Sequence, residues 1–179
     1  MKYIVLDLEA TCEENNRDFD NEIIEIGAVK IDEMGNIEDE FEQFVKPKKN
    51  PTLSKFCKDL TSIKQSDIDN ADEFPKVLND FLNWAGKDVL FISWGFYDKN
   101  QFIKDCKRYK LNTEWIEEDG KHMNIKNEYS SKIQKKNKRF GLGKAIRKEG
   151  MEFEGTAHRG IDDARNITKI FLKYMDKLF

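Results

Sequence analysis

The chain has 179 residues, of which 39% are hydrophobic and 36% are charged, and its formal net charge is −3. These values predict one globular domain over residues 1–179, and they exclude a membrane-spanning protein because no apolar run reaches the length of a bilayer span. Cys12, Cys57 and Cys106 are too few and too widely spaced for a disulfide framework or a zinc site. The N-terminus also lacks a signal-peptide pattern, so a cytoplasmic location is expected.

The predicted elements follow one another as in an α/β domain. Short apolar and β-branched runs predict strands at residues 3–8, 22–31, 37–45 and 89–94. The second and third strands are joined by DEMGN, whose glycine and asparagine suit a hairpin turn. The run VLFISW at 89–94 is continuously apolar, which is typical of a strand buried on both faces.

The remaining segments are predicted to be helices and loops. Apolar residues at helical spacing predict helices at 74–84, 98–109 and 141–148, and a long helix within 158–178. Two prolines and a run of lysines make 46–51 an extended loop, and 59–71 is expected to hold a short helix with loops. No repeat or linker divides the chain.

Two carboxylates end the first strand, in the stretch YIVLDLEATC. Asp7 and Glu9 lie two residues apart, so their side chains point to the same face of the strand. Two like charges held side by side repel each other and need a positive partner.

Further acids occur where later helices begin. Asp98 follows the buried strand in SWGFYDKNQF, and AHRGIDDARN places His158 and Asp163 at the head of the last helix. The four acids are therefore expected to converge in one cleft and to bind Mg²⁺ or Mn²⁺, which prefer oxygen ligands. Two ions about 3.5–4 Å apart would bind both the attacking and the leaving oxygen of a phosphodiester, and His158 could accept the proton of the attacking water.

Each of these signals is weak when it is taken alone. An aspartate at a helix start, such as Asp98 or Asp162, is usually an N-cap, and an exposed histidine is usually only solvated. Short acidic pairs also arise by chance in a chain this acidic. The three segments together are much more specific than any one of them.

In these segments the chain resembles the DEDDh branch of the DnaQ-like 3′–5′ exonuclease superfamily. The three motifs of that branch match VLDLEATC, SWGFYDKNQF and HRGIDDARN. FVKPKKNPTLSKFCKDLTSIKQSDIDNA and GLGKAIRKEGMEFEGTAHRGIDDARN are similar to segments of its Eri-type and KapD-type group. The resemblance spans nearly the whole chain and implies a ribonuclease-H-like fold, with a central mixed β-sheet flanked by α-helices.

The resemblance also assigns roles to individual positions. It implies that four acids bind two divalent cations and that His158 is the general base; the acids are Asp7, Glu9, Asp98 and Asp163. It implies a second set of residues that border the terminal nucleotide: Leu8, Ala10, Thr11, Phe56, Leu60, Thr61 and Trp94. For Trp94 a place in the hydrophobic core is an equally good interpretation.

The charge distribution favours a nucleic acid as the partner. Between Lys121 and Lys148 the sequence has ten lysines and arginines and one acid, Glu128. Such a segment can bind phosphates regardless of base sequence, although most charged runs are simply solvated. The expected function is a metal-dependent 3′–5′ exonuclease acting on single-stranded ends, RNA in preference to DNA, and releasing nucleoside 5′-monophosphates. A structure-specific endonuclease and a catalytically silent binding module on the same fold are the alternatives.

Overall fold

A computed structural model describes residues 1–16, 18–134 and 139–179. Its centre is a mixed five-stranded sheet in the order β3-β2-β1-β4-β5. The strands are β1 (Lys2–Ala10), β2 (Ile23–Ile31), β3 (Ile37–Phe44), β4 (Val89–Ser93) and β5 (His122–Asn124). β1, β2 and β3 pair in antiparallel fashion, whereas β4 and β5 run parallel to β1. The sheet confirms the predicted ribonuclease-H-like α/β class.

The predicted hairpin joins β2 to β3. Gly35 has a φ of +87°, a backbone conformation that favours glycine, and the carboxylate of Asp32 accepts the backbone N–H of Asn36. The predicted burial of β4 is also confirmed, because Leu90, Phe91 and Ile92 are all less than a tenth exposed.

Helices cover both faces of this sheet. The longer ones are α3 (Phe74–Ala85), α4 (Tyr97–Arg108) and α8 (Gly160–Leu178), and the short ones are α1 (Lys55–Thr61), α2 (Gln65–Asp69), α5 (Glu114–Glu117), α6 (Ile125–Glu128) and α7 (Leu142–Lys148). A π-helical turn, Tyr129–Ile133, continues α6. Among the residues described, none of the helices is both long and apolar enough to cross a membrane.

Two features of the structure, the start of α1 and the strand β5, are not among the predicted elements. The segment 59–71 contains the short helix α2 with flanking loops, and also the last residues of α1, which begins at Lys55 because the Ser54 hydroxyl accepts the backbone N–H of Cys57 and so caps the helix. β5 lies at the start of the basic segment, where no strand is predicted, and it pairs with β4. Three residues are too few for an alternating pattern to be visible in the sequence.

The two faces of β1 belong to two different parts of the core. Ile4 and Leu6 pack with the aromatic residues of α3 and α4, such as Phe81, whereas Tyr3 and Val5 pack against α8. Side chains alternate along a strand, so Asp7 and Glu9 continue the face that α8 covers. The acids of β1 are therefore directed toward the helix whose first turn carries Asp163.

Helix α8 touches the sheet at a pair of glycines. Gly27 of β2 lies opposite Asp7 of β1, and a Cβ added at Gly27 would come within 2.1 Å of the Gly160 carbonyl carbon. A Cβ added at Gly160 would in turn lie 3.0 Å from the backbone oxygen of Asp7. The start of α8 can approach the strands this closely because neither glycine has a side chain.

The glycine contact predicts that Gly27→Ala destabilises the protein. The added methyl meets backbone atoms, which cannot rotate away, so the free energy of unfolding should fall by about 1–3 kcal/mol or more. Equilibrium urea unfolding measures this change. Gly141→Ala is the matched control, because a Cβ there has no atom within 4 Å and the backbone φ is −66°. Equal stability of the two variants would contradict the close contact.

Candidate active site

The first two acids border a crevice at the end of β1. β4 pairs with β1 only from Lys2 to Val5, so the C-terminal half of β1 extends past its parallel neighbour. Crevices beyond the carboxyl ends of neighbouring parallel strands are the usual ligand sites of α/β proteins. Asp7 and Glu9 line this crevice.

Asp98 closes the crevice from the other side. It lies in the first turn of α4, and its Oδ1 accepts the backbone N–H of Leu8 at 3.0 Å. Burial raises the pKa of the Asp98 carboxyl to about 6, although the Leu8 N–H acts in the opposite direction. The hydrogen bond ties the second motif to the first.

Asp163 enters from the first turn of α8. Its Oδ2 accepts the backbone N–H of His158 at 2.9 Å, which fixes the loop in front of the helix. His158 has a φ of +64°, an uncommon value for a residue other than glycine, and its side chain is exposed. Ligand atoms of Glu9, His158 and Asp163 all lie within 4.8 Å of one another. The third motif therefore reaches the acids of the first.

The neighbouring acid of the same motif has a different role. The Asp162 carboxylate accepts the backbone N–H of Thr156 at 2.8 Å and pairs with Arg165, so it holds the loop and the helix together. Asp162 is thus the local helix-start acid that the sequence suggested, whereas Asp163 faces the crevice.

A buried ion pair supports the start of α8. Glu25 of β2 is 0% exposed, and it accepts hydrogen bonds from the Arg159 guanidinium and from the backbone N–H of Gly160. Arg159 also pairs with Glu42 of β3 at 3.0 Å. Burial raises the pKa of Glu25, and Arg159 opposes that rise. The residue next to His158 is thereby anchored to two strands.

Burial and mutual repulsion together set the electrostatics of the crevice. Burial, followed by the negative charge of Asp98 and then that of Asp163, raises the pKa of Asp7 well above its usual range. Burial and the Asp163 charge likewise raise the pKa of Glu9 to about 8. Carboxylates perturbed in this way mark candidate functional sites, because the charged forms lack a counter-ion.

The acids lie in a cleft of about 930 Å³. Nine of the twelve predicted site residues line it: Asp7, Leu8, Glu9, Ala10, Leu60, Trp94, Asp98, His158 and Asp163. Trp94 also packs against the core and donates its indole N–H to the carbonyl of Phe140, whereas its expected contact with a nucleotide remains a prediction.

The other three predicted residues are not among the described residues that line the cleft. Thr11 is 2% exposed, and its hydroxyl accepts the backbone N–H of Glu22. Thr61 is fully buried and donates to the carbonyl of Cys57 within α1. Phe56 is exposed on the same helix. Their proposed contacts with a nucleotide remain predictions.

Several lining residues were not singled out from the sequence: Cys12, Tyr97, Gly141, Leu142, Gly143, Lys144, Arg147, Phe153, Gly155 and Ala157. Tyr97 directly precedes Asp98, so its place in the second motif was the available signal. Lys144 and Arg147 belong to the basic segment 121–148. Lys135, Lys136 and Lys138 of that segment lie outside the described residues.

A family model described as Exonuclease, RNase_T, matches residues 4–171. The chain therefore belongs to the RNase_T exonuclease family.

Individual relatives refine this membership. The chain is 33% identical to the 3'-5' exoribonuclease 1 of Rattus norvegicus, over 96% of this chain and 52% of that protein. It is also 33% identical to the 3'-5' exonuclease eri1 of Schizosaccharomyces pombe, over 95% of this chain and 66% of that protein. The chain thus spans about half the length of the rat exoribonuclease.

A solved structure agrees with these relatives. The nuclease domain of 3'hExo, a DEDDh family member bound to rAMP, superposes with a TM-score of 0.89 at 32% identity, over 98% of this chain and 92% of that one. The expected membership of the DEDDh branch and its Eri-type group is confirmed.

The raised pKa of Glu9 predicts that Glu9→Gln stabilises the metal-free protein. The native state holds the Glu9 proton more tightly than the unfolded chain does, so stability declines as the pH rises from about 4.5 to about 8. Glutamine removes this dependence, and the melting temperature of the variant should exceed that of the parent increasingly between pH 5 and pH 8.5.

Differential scanning calorimetry in EDTA measures this difference. Glu14→Gln, at an exposed position, is the control and should show no such divergence. If the melting temperatures of Glu9→Gln and the parent differed by the same amount at every pH, the raised pKa of Glu9 would be contradicted.

Proposed function

We propose that the protein is a 3′–5′ exonuclease that hydrolyses single-stranded ends, RNA in preference to DNA, and releases nucleoside 5′-monophosphates. The observation that carries this proposal is the convergence of four acids and one exposed histidine in a single cleft. The relatives named as 3'-5' exoribonucleases support the same substrate and direction. A catalytically silent binding module would have no need of four mutually repelling carboxylates.

The residues of the cleft fit a pair of Mg²⁺ or Mn²⁺ ions. The donors are hard carboxylate oxygens, and their raised pKa values reflect a negative charge that cations would neutralise. We propose that the ions are held by four residues: Asp7, Glu9, Asp98 and Asp163. When bound, such ions supply positive charge that stabilises the transition state of phosphodiester hydrolysis.

We propose that His158 is the general base of the reaction. Its side chain is exposed at the cleft, and an imidazole is suited to accept a proton near neutral pH. Its backbone is held by Asp163, and its neighbour Arg159 is anchored by Glu25. A proton acceptor on a fixed loop beside the acids can take the proton of the attacking water, while the acids themselves serve as ligands.

The apolar side of the cleft suits the terminal nucleotide. Tyr97, Leu60 and Trp94 line it, and aromatic rings stack on bases with little regard to sequence. We propose that these residues receive the terminal base, while the strand segment from Leu8 to Ala10 borders the sugar. Thr11, Phe56 and Thr61 complete the proposed surroundings of the nucleotide.

The cysteines suit a reducing compartment. All three, Cys12, Cys57 and Cys106, are free thiols, which is the usual state of cysteines in the cytoplasm. We therefore propose a cytoplasmic location, and we regard residues 1–179 as one exonuclease domain.

Direction and substrate are tested by digesting oligonucleotides labelled at the 5′ end. RNA and DNA of one sequence are incubated with Mg²⁺, with Mn²⁺ or with EDTA. We expect a ladder that shortens from the 3′ end, faster with RNA, and no cleavage in EDTA. Release of internal fragments would favour the endonuclease, and binding without cleavage would favour the silent module.

The acidic cluster predicts that Asp163→Asn abolishes turnover while the protein stays folded. A neutral amide binds divalent cations more weakly, so kcat should fall by at least about a thousandfold. Asp176→Asn, an exposed position near the other end of α8, is the matched control and should retain parental activity. Near-normal activity of Asp163→Asn would remove this residue from the site.

The proposed base predicts a different result for His158→Ala. Loss of a general base should lower kcat by roughly 10²–10⁴. Mn²⁺ affinity, measured by calorimetric titration, should change little, because His158 is not proposed as a ligand. A strong loss of Mn²⁺ affinity would recast His158 as a ligand, consistent with its short distance to Glu9 and Asp163.

A further inference from the structure

Two cations share the cleft with the acidic cluster. Lys144 and Arg147 lie three residues apart on α7, so they share one face of the helix, and both line the cleft that contains Asp7 and Glu9. Apart from the histidine, they are the only cationic side chains among the described residues that line it.

Neither cation is paired with a carboxylate in the part of the chain that the structure describes. Within residues 1–16, 18–134 and 139–179, no carboxylate oxygen lies within 4.0 Å of the Lys144 ammonium or the Arg147 guanidinium. Other cations of the same fold are paired, as Lys173 is with Glu149 at 2.8 Å. Two unpaired cations beside a cluster of acids are available to bind an anion.

The positions of these two side chains are held by local contacts. The inner face of α7 is anchored by Ala145 and Ile146, both 0% exposed. The Lys144 ammonium lies 5.1 Å from the centroid of the Phe140 ring, whose backbone carbonyl accepts the Trp94 indole N–H. The cationic side of the cleft is thus tied to the aromatic side.

The Arg147 guanidinium lies over a glycine one turn earlier in the helix. A Cβ built at Gly143 would be 3.7 Å from Nη1 of Arg147, so the guanidinium is folded back along the wall of the cleft. Arginine and lysine are the side chains that proteins use to bind phosphate.

We infer that Lys144 and Arg147 form a phosphate clamp that binds the phosphate on the 5′ side of the scissile one. This inference rests on the proposed function. The acidic cluster and its cations take the scissile phosphate, and Leu60, Trp94 and Tyr97 offer the rest of the strand apolar and aromatic surface without a positive charge. The wall formed by α7 is the one that attracts the next phosphate.

The clamp makes the enzyme selective for substrates with a second phosphate. The sharpest test compares two diribonucleotides of the same sequence, NpN and pNpN, which differ only in a 5′-terminal phosphate. Because a charge-assisted contact to the extra phosphate is made only with pNpN, the parent enzyme should have a kcat/KM at least about tenfold higher for pNpN than for NpN.

The double variant K144A/R147A should reduce this preference to less than about threefold. For a longer RNA, log KM should also rise less steeply with log salt concentration. Loss of one phosphate contact should lower this slope by about 0.7. Lys144→Arg should keep the preference, because it keeps the charge. Both side chains are exposed, and equal melting temperatures would show that the double variant is folded.

Lys148→Ala is the matched control. Lys148 belongs to the same helix and lies over the same Phe140 ring, but it donates to Gln134 and does not line the cleft. This variant should retain the parental preference for pNpN. The clamp would be overturned if the double variant kept the full parental preference for pNpN. It would also be overturned if Lys148→Ala lost as much of that preference as the double variant does.

A binding measurement separates the clamp from the proposed function. Calorimetric titration of NpN and pNpN with Ca²⁺ in place of Mg²⁺ reports affinity without requiring turnover. Tighter binding of pNpN that depends on Lys144 and Arg147 supports the clamp even if neither dinucleotide is cleaved, an outcome that would refute only the exonuclease activity. Equal affinity for both dinucleotides would overturn the clamp.

Discussion

The contact between the first residue of α8 and the backbone of β2 determines the geometry of the whole site. At Gly27 the two backbones approach so closely that a side chain there would meet the backbone of Gly160 and Ile161. Asp163, three residues into the helix, is thereby brought over the face of β1 that carries Asp7 and Glu9. The buried pair between Glu25 and Arg159 stabilises the same junction, and it leaves the buried carboxylate with a charged partner.

The same geometry makes the cleft electrostatically unfavourable until cations bind. Asp98 and Asp163 each accept a backbone N–H, from Leu8 and His158 respectively, which partly offsets their burial. In the part of the chain that the structure describes, the carboxylates of Asp7 and Glu9 accept no hydrogen bond, and Glu9 has a pKa of about 8. At the proposed metal site, stability lost to burial and repulsion in the metal-free protein would become affinity for divalent cations, because the same charges would bind them.

The cleft has three chemically different surfaces. Acids form the floor of the cleft, aromatic and apolar side chains such as Tyr97 and Trp94 form one side, and Lys144 and Arg147 form another. A single nucleic-acid strand has the complementary distribution, with apolar base faces and an anionic backbone. The hydrogen bond from Trp94 to the Phe140 carbonyl joins the two sides, so the aromatic and cationic surfaces keep a fixed relation to each other.

The sequence by itself determined the α/β class, the hairpin at Gly35 and the acids of the three motifs, because hydrophobic period, turn chemistry and motif spacing are all local properties. Only the tertiary structure decided that the Asp162 carboxylate accepts the Thr156 N–H and pairs with Arg165, and that the hydroxyl of Thr61 is used within its own helix. It also selected Lys144 and Arg147 from a long basic segment. Which face of a short helix meets a cleft depends on how distant elements pack against the sheet, and no local pattern encodes that.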